Sequence, residues 1–316
     1  MKNDDDDSDR RDDGALVSQL QASRSRFLAL VEGLRPDLHR YCARMTGSIA
    51  DGEDVVQDVL ARAYYELSAL KELPALRSWL FQIAHNRALD FLRRYERRMG
   101  EPLDLVDGSA PDRSPDAESA LAQEEAVRAA VSRFLDLPPA QRSCVILKDV
   151  LGHSLDEIAE LLSLSVPAVK AALHRGRTLL RQLNAADPAP GPPPPPTPAL
   201  ARYTALFNAR DWDAVRAMLA DDVKLDVVTR IRRSGKRAVE YFTNYDAYSD
   251  WHLVPAWLDG REVIAVFRDP GDARPGYFIE LGLANDRVVS IRDFRYVPYI
   301  AREARFELTI AHPFAR

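Results

Sequence analysis

The sequence predicts a multidomain protein: two all-α domains, a helix bundle and a helix-turn-helix, followed by a C-terminal α+β domain. Three observations predict it. Apolar residues recur at three- and four-residue steps through residues 24–183, as they do on one face of amphipathic helices. After residue 200, four short apolar runs alternate with turn signals. Between these halves, eight prolines fall between Pro188 and Pro198, and such a run cannot form a helix or a central strand.

Length and composition limit the classes of protein to consider. A chain of 316 residues has room for two or three domains. It has neither a charged-then-apolar start nor a run of about 18 apolar residues, so we expect a cytoplasmic protein with no membrane partner. The two cysteines, Cys42 and Cys144, lie in apolar helical patterns, and the six histidines are scattered. We therefore expect no disulfide framework, no metal site and no cofactor.

The net charge of −5 is spread unevenly along the chain. The first thirteen residues hold seven aspartates, so residues 1–23 are predicted to be an acidic, disordered tail. Residues 87–98, in contrast, hold five arginines against two acids, and residues 161–181 hold four basic residues and no acid. Two basic clusters in an otherwise acidic chain indicate a polyanionic partner.

The helical domain predicted over residues 24–100 contains two segments with distinctive polar faces. In "EDVVQDVLARAYYEL" (53–67), the face opposite the apolar stripe is polar, and by residue type alone it is more typical of a solvated helix face than of a binding surface. Aromatic and arginine side chains occur together in "RSWLFQIAHNRALDFLRRYERR" (77–98). A loop is predicted just before this segment, because Pro74 interrupts the helical pattern there. This combination suits single-stranded or opened nucleic acid, although Trp79 and Phe81 also fit a core.

Residues 101–125 are rich in Asp, Glu, Ser and Pro, and are predicted to be an acidic, flexible linker. The domain over 126–184 then contains the strongest local motif of the chain. Ser154 and Glu157 form an S-x-x-E capping box, and "SLS" (163–165) separates two helices. The second helix faces outward with Lys170, Ala171, His174, Arg175 and Thr178. A helix-turn-helix places such a face in the major groove of DNA.

In order and content, these segments resemble an extracytoplasmic-function (ECF) sigma factor of the sigma-70 family. "EDVVQDVLARAY" resembles the part of region 2 that docks on core RNA polymerase, "RSWLFQIAHNRALDFLRR" the helix that captures the −10 element, and "LPPAQRSCVILKDVLGHSLDEIAELLSLSVPAVKAALHRGRTLLR" region 4, which reads the −35 element. The resemblance covers about residues 24–183. It implies polymerase contacts at Asp54, Gln57, Asp58 and Arg62, −10 contacts at Asn86, Arg87, Arg93 and Arg94, and −35 contacts at Lys170, His174, Arg175 and Thr178.

One departure concerns the recognition helix. Where relatives often carry a polar residue and an arginine after the lysine, this chain has Ala171 and Ala172. We therefore expect few base contacts, and the sequence of the −35 element does not follow from the chain.

The α+β domain is predicted over residues 200–316, after a proline-rich spacer at 185–199 that would reach about 30 Å as polyproline. Helices are expected over 199–223 and 235–245, followed by strands in "WHLVPAWL", "REVIAVFRD", "GYFIELGL" and "RVVSIRDFRYV". This order resembles the cone-shaped SnoaL-like domains of polyketide cyclases and isomerases.

Catalysis by this domain is not predicted. By residue type alone, the candidate acid–base groups are Asp226, His252, Glu280 and Asp293, but no pair has a recognisable spacing. Seven aromatic residues fit either a core or a ligand pocket: Tyr241, Phe242, Trp251, Trp257, Phe267, Tyr277 and Phe294.

The leading hypothesis is an ECF sigma factor that directs core polymerase to promoters. Its C-terminal domain would regulate it in cis, through contacts with the two sigma domains. The alternative is a one-component, ligand-sensing helix-turn-helix regulator, which leaves residues 24–98 without a purpose. The protein itself is expected not to be an enzyme.

Overall fold

The computed structural model describes residues 18–19, 21–67, 75–99, 126, 130–185, 193–235, 238, 240–242, 245, 251–269 and 272–309. The chain divides into two compact units, Met1–Asn184 and Ala185–Arg316. The predicted linker at 101–125 lies outside the described residues, as does the acidic tail except for 18–19 and 21–23, which are helical. Within the described part of the chain, no helix is both long and apolar enough to cross a bilayer.

The first unit begins with a helical bundle. Helical residues 21–31 and a 3₁₀ turn, Glu32–Leu34, lead into α1 (Arg35–Thr46), α2 (Ile49–Tyr65) and α3 (Leu76–Met99). Gly47, at φ 71°, ends α1, and Ser48 begins α2 by accepting the backbone N–H of Asp51 on its side chain. The connection between α1 and α2 is short, because Gly47 adopts the left-handed conformation that ends α1 and Ser48 caps α2.

The same unit continues into a helix-turn-helix. A 3₁₀ turn (Val131–Asp136), α4 (Pro139–Val145) and a π-helical turn (Ile146–Val150) precede α5 (Leu155–Leu162) and α6 (Val166–Ala185). Both halves of the predicted capping box are present, since Ser154 and Glu157 each accept the other's backbone N–H. Ser163 makes the turn at φ 55°, and Ser165 caps α6 through the N–H of Ala168. The prediction of this motif is confirmed.

Both helical domains contribute to one apolar core. It runs from Phe27 and Tyr41 through Phe81 to Val145 and Leu173. The sequence suggested two domains joined by a linker, whereas the structure packs them together. The apolar stripes of α1 and α3 therefore bury side chains against α4 and α5 as well as against each other.

The second unit is an α+β domain, as predicted. Helices α7 (Pro198–Asn208) and α8 (Trp212–Ala217) precede β1 (Leu219–Val227), β2 (Ile231–Ser234), β3 (His252–Leu258), β4 (Arg261–Phe267), β5 (Tyr277–Ala284) and β6 (Arg287–Asp293), then α9 (Tyr299–Glu303) and β7 (Phe306–Leu308). They form one seven-stranded sheet in the order β2-β1-β6-β5-β4-β3-β7, in which β1 and β6 run parallel and the other neighbours antiparallel.

Two boundaries in this unit differ from the sequence prediction. The helix expected over 199–223 is two helices, α7 and α8, and the second ends at Ala217. The remaining residues form the start of β1, because pairing with β6 and β2 outweighs a local helical pattern. The helix expected over 235–245 lies partly outside the described residues, which include a 3₁₀ turn at Glu240–Phe242. The four predicted strand runs correspond to β3, β4, β5 and β6.

The proline-rich spacer is also shorter than predicted. Pro198 already begins α7, and residues 193–197, which are neither helix nor strand, lie on the second unit. The indole N–H of Trp257 donates to the carbonyl of Pro194 (3.0 Å), and the N–H of Thr197 donates to Glu262 Oε1 (2.5 Å). Side chains of β3 and β4 therefore hold the end of the proline run.

Candidate nucleic-acid and polymerase interfaces

Helix α2 carries the four residues predicted to contact polymerase on one face. Asp54 and Gln57 are half-buried, whereas Asp58 and Arg62 are exposed one turn apart. The opposite face is anchored in the core by Val55, Val56, Val59, Leu60 and Ala63. Arg62 also forms an ion pair with Glu66, one turn further on. The face is a mixed acidic and basic surface with a fixed orientation.

Helix α3 carries the predicted −10 residues, and three of them contact Asp90. Asn86, Arg93 and Arg94 are exposed and Arg87 is half-buried. Guanidinium nitrogens of Arg87 and Arg93 lie 4.0 and 3.9 Å from the carboxylate of Asp90, and Arg94 Nε donates to the Asp90 carbonyl at 3.2 Å. These exposed ion pairs are weak.

The aromatic residues of α3 belong mainly to the core. Phe81 is fully buried and meets the ring of Tyr41 edge to face, with ring centroids 5.9 Å apart. Trp79 is half-buried against the same core. For Phe81 the core interpretation therefore holds.

Helix α6 presents the predicted −35 residues behind a capped α5. Lys170 and Thr178 are exposed, and His174 and Arg175 are half-buried. The hydroxyl of Thr178 donates to the carbonyl of His174 at 2.9 Å, so its hydrogen is already used within the helix. The buried stripe consists of Val169, Ala172, Leu173, Gly176 and Leu180. Helix α6 therefore has a buried apolar face and a basic outer face.

Two further residues of α6 bear on the sequence interpretation. Ala172, which stands where relatives often carry an arginine, is 3% exposed and packs in the core, whereas Ala171 is half-buried. Arg177, counted in the basic cluster, pairs with the buried carboxylate of Asp149 through two hydrogen bonds of 2.9 and 2.6 Å. Asp149 thus neutralises the charge of Arg177 within the fold. The sequence did not reveal this pair, because the two residues are 28 positions apart.

Burial and capping shift several pKa values in this unit. Hydrogen bonds from Ser154 lower the pKa of Glu157, which keeps the cap ionised. Burial lowers the pKa of His153, and it lowers the pKa of His85 to about 4. Both imidazoles are therefore neutral at physiological pH.

In the second unit, the candidate acid–base residues separate into two groups. Asp226 and Glu280 are half-buried and share Arg292, whose guanidinium nitrogens lie 3.8 and 3.6 Å from their carboxylates. His252 opens β3 opposite Phe267, away from this ion-pair group in the strand register. Asp293 is fully buried at the end of β6. The side chain of Arg292 therefore links the carboxylates of Asp226 and Glu280.

Asp293 lies at the centre of a buried phenol cluster that the sequence did not reveal. Its Oδ2 accepts hydrogen bonds from Tyr241 (2.7 Å) and Tyr245 (3.0 Å), and its Oδ1 accepts from the backbone N–H of Arg295 (2.8 Å). Burial raises the pKa of Asp293, while the Arg295 guanidinium opposes the shift. Tyr277 completes the cluster, 3.2 Å from the Tyr245 hydroxyl. In the sequence, the four-residue spacing of Tyr241 and Tyr245 could have indicated that their hydroxyls lie close together.

The aromatic residues noted in the sequence are mostly core. Tyr241, Phe242, Phe267, Tyr277 and Phe294 are all at most 4% exposed. Among the residues that the structure describes, no group of three or more His, Cys, Asp or Glu side chains is arranged to hold a metal ion.

Comparisons with known proteins decide the family. Sigma-70 region 2 matches residues 30–98 and Sigma-70 region 4 matches residues 128–180. The ECF RNA polymerase sigma factor SigG of Mycobacterium tuberculosis is 30% identical over 302 residues, which cover 86% of this chain and 81% of SigG. The chain belongs to the ECF sigma factors.

Two solved structures are similar to parts of this chain. This sigma factor is similar to SigJ of Mycobacterium tuberculosis (21% identity, TM-score 0.33), with 85% of this chain and 95% of SigJ covered. A protein of Pseudomonas putida named as a polyketide cyclase matches 36% of this chain over its full length (15% identity, TM-score 0.25). The match to region 2 gives residues 30–98 the role that the one-component alternative leaves unexplained.

Proposed function

We propose that this sigma factor directs core RNA polymerase to specific promoters and reads the −35 element with α6. The observation that carries the proposal is the outer face of α6, where Lys170 is exposed and no acid interrupts the helix. The capped α5 and the Arg177–Asp149 pair fix that face relative to the core. Lys170, His174 and Arg175 would contact phosphates and base edges, with Thr178 beside them.

Helix α3 would hold the −10 element. Asn86, Arg87, Arg93 and Arg94 lie along its outer side, and the arginines that flank Asp90 supply charge for the backbone of an opened strand. The carboxylate of Asp90 would repel phosphate. We therefore expect the phosphates of the DNA strand to lie to the sides of Asp90 and not directly against it.

Helix α2 would dock on core polymerase through Asp54, Gln57, Asp58 and Arg62. These residues share a face while the reverse face is packed in the core. A partner surface with complementary charges would recognise both the acids and Arg62.

Run-off transcription tests the proposal. The template carries a promoter identified by mapping transcript start sites after overexpression, and the reaction contains core polymerase with or without the purified protein. We expect a product only when both are present, and loss of that product with Lys170→Ala combined with Arg175→Ala. If the protein shifts promoter DNA yet never supports initiation by core polymerase, it is a helix-turn-helix regulator and the proposal is wrong.

We further propose that the second unit regulates the sigma domains in cis and does not catalyse a reaction. Asp226 and Glu280 are engaged with Arg292, and Asp293 with tyrosines, which supports a structural use of these carboxylates. A domain tethered in cis acts at a high effective concentration, by contact with the two sigma domains in the cytoplasm.

Truncation tests this regulation. Because residues 193–197 are held by the second unit, the shortened chain should end at Ala185, where α6 ends. We expect transcription from the same promoter to rise severalfold if inhibition dominates. Unchanged transcription, together with an absence of crosslinks between residues 200–316 and 24–183 in the full chain, would contradict the proposal.

A further inference from the structure

Two side chains of the sheet in the second unit bind the end of the proline run. The indole N–H of Trp257 donates to the carbonyl of Pro194 at 3.0 Å, and Glu262 Oε1 accepts the N–H of Thr197 at 2.5 Å. Trp257 and Glu262 are directly opposite each other on β3 and β4, so both side chains lie on the same face of the sheet. One aromatic donor and one carboxylate acceptor therefore contact a single short segment of backbone.

The sequence restricts the bound segment to a polyproline II helix. Proline fixes φ, and a residue that precedes proline is held in extended conformations, which applies to Pro193, Pro194, Pro195 and Thr197. Thr197 has φ −57° and ψ 146°, close to the values of that helix. Pro193 and Pro196 are half-buried whereas Pro194 and Pro195 are exposed, which matches its three-residue period. The two bound backbone groups, on Pro194 and Thr197, are also one turn apart.

The two hydrogen bonds recognise the backbone of the segment and not its side chains. A polyproline II helix presents carbonyls along its whole length, and it presents an N–H wherever one residue is not proline. Such a helix loses little conformational entropy on binding, because its prolines have already restricted it. A proline-rich segment of another protein therefore offers the same groups to Trp257 and Glu262.

Carboxylates flank the indole on both sides across the sheet. The residue opposite Trp257 is Glu262 on β4 and Glu307, which is exposed, on β7. Carboxylates beside an aromatic ring favour a cationic residue in the bound segment. The chain's own segment does not supply one, because residues 186–200 contain no Lys or Arg. A proline-rich partner with a basic residue would gain a contact that the chain's own segment lacks.

A purely structural role is the alternative for these contacts, since Glu262 also places a negative charge at the N-terminus of α7. Helix α7 has a second attachment, however. The side chain of Asn208 at its other end exchanges hydrogen bonds of 2.8 and 2.9 Å with the backbone of Leu253 on β3. The contact between Trp257 and Pro194 can therefore be exchanged while α7 stays on the sheet.

We propose that Trp257 and Glu262 form a polyproline-binding site, which the segment 193–197 occupies in the free chain and a proline-rich, basic segment of a partner protein takes over. Displacement changes the tether between the units little. Its length grows from residues 186–192 to residues 186–197, and loop-closure scaling turns that into only about a twofold change in effective concentration. The site therefore serves partner docking, and it does not depend on regulation in cis.

Peptide titration of the full chain tests occupancy of the site. The protein is labelled with 5-fluorotryptophan, and its four tryptophans give four fluorine resonances, of which Trp257→Phe identifies one. The probe is a synthetic peptide with the sequence of residues 189–199, "APGPPPPPTPA". It is added to the wild type and to a Gly-Ser variant, in which residues 193–196 are replaced by Gly-Ser-Gly-Ser.

The peptide should shift the Trp257 resonance of the Gly-Ser variant. The wild type should need about tenfold more peptide, because its own segment competes at an effective concentration of about 1 mM against a dissociation constant of about 0.1 mM. No shift of this resonance by millimolar peptide in the Gly-Ser variant would overturn the proposal. Equal affinity for the two chains would do so as well, because the chain's own segment would then not occupy the site.

Two further substitutions in the Gly-Ser variant separate recognition from packing. Trp257→Phe keeps an aromatic ring and removes the N–H donor, whereas Glu262→Gln keeps an acceptor oxygen and removes the charge. Anisotropy of a fluorescein-labelled peptide gives the affinities. We expect at least about a fivefold loss with Trp257→Phe and a smaller loss with Glu262→Gln. Undiminished binding by Trp257→Phe, at native helicity, would place peptide binding elsewhere and contradict the proposal.

Charge in the peptide tests the flanking carboxylates. Arginine in place of the first or last alanine of the peptide should tighten binding by about two- to fivefold at low salt, and glutamate there should weaken it. The difference should shrink at high salt and in Glu307→Gln. Equal affinity of the arginine and glutamate peptides would refute the preference for a basic partner. Failure of run-off transcription by the wild type would instead contradict the promoter function, and the peptide affinities would still decide this site.

Discussion

Arg177 and Asp149 form a bidentate ion pair between α6 and the π-helical turn that precedes the helix-turn-helix. Arg177 Nε and Nη2 donate to the two carboxylate oxygens of Asp149 at 2.9 and 2.6 Å. The Asp149 side chain is 2% exposed and that of Arg177 21%. A planar guanidinium that meets both oxygens fixes direction as well as distance. This pair therefore sets the angle at which α6 presents its outer face.

Substitution of Arg177 should lower the stability of the protein more than it weakens DNA binding. Arg177→Ala leaves the Asp149 carboxylate buried without its ion-pair partner, and such changes cost about 3–5 kcal/mol. Urea unfolding followed by circular dichroism measures the loss. Lys170→Ala, a substitution of an exposed cation on the same helix, should change the free energy of unfolding by less than about 0.5 kcal/mol. Equal effects of the two substitutions would contradict this role.

Lys170→Ala should instead alter the salt dependence of promoter binding. If Lys170 neutralises one phosphate, its removal reduces the slope of log K against log salt by about one unit. Fluorescence anisotropy with promoter DNA over a range of salt concentrations gives that slope. Gln182→Ala, an exposed neutral residue further along α6, is the control and should keep the wild-type slope. A wild-type slope in Lys170→Ala would remove this residue from the phosphates.

The sequence was sufficient wherever local chemistry decides the structure. The capping box at Ser154, the left-handed turn at Ser163 and the alternation of β3 to β6 each depend on residues a few positions apart. The polar face of α2 followed for the same reason, because helical spacing alone brings Asp54 and Asp58 together.

Long-range partners explain what the sequence did not reveal. Arg177 looks like a DNA contact until Asp149, 28 residues earlier, is placed beside it. Leu219–Val227 forms a strand because β6 pairs with it, 66 to 69 residues later along the chain. Tyr41 and Ser143 meet across 102 positions, and no periodicity in either segment encodes that contact.

Charge reversal on α2 should abolish docking on core polymerase. Asp58 is exposed, so Asp58→Arg changes the charge of the polar face without creating a buried defect. We expect at least a tenfold loss of affinity in a native pull-down or titration with core polymerase. Asp213→Arg is the matched control, because Asp213 is almost fully exposed in the second unit. Undiminished binding by Asp58→Arg, with unchanged helicity, would discard the assignment of α2.

Stability of the first unit should fall on acidification because of His85. Its pKa of about 4 in the fold lies below the ordinary value of 6.5, so the neutral form is favoured by folding. This contribution is complete above about pH 6.5 and is lost as the pH falls toward 4. Urea unfolding at pH 7.5 and pH 5 should show a smaller difference for His85→Gln than for the wild type, since glutamine does not titrate. Equal differences would assign the pH dependence to other groups, such as His153, whose pKa burial also lowers.

Substitution of Gly52 tests how closely α1 and α2 pack. A Cβ at Gly52 would overlap the backbone N and Cα of Ala43, which cannot move as a flexible side chain can. Gly52→Ala should therefore destabilise the protein by about 1–3 kcal/mol or more, despite the better helix propensity of alanine. Gly33→Ala is the matched control, because nothing lies within 4 Å of a Cβ there and the position is exposed. That change should be neutral or stabilise by up to about 1 kcal/mol, since it only restricts the unfolded chain. Thermal unfolding of the two variants separates the effects, and equal melting temperatures would show that α1 and α2 do not approach each other at this glycine.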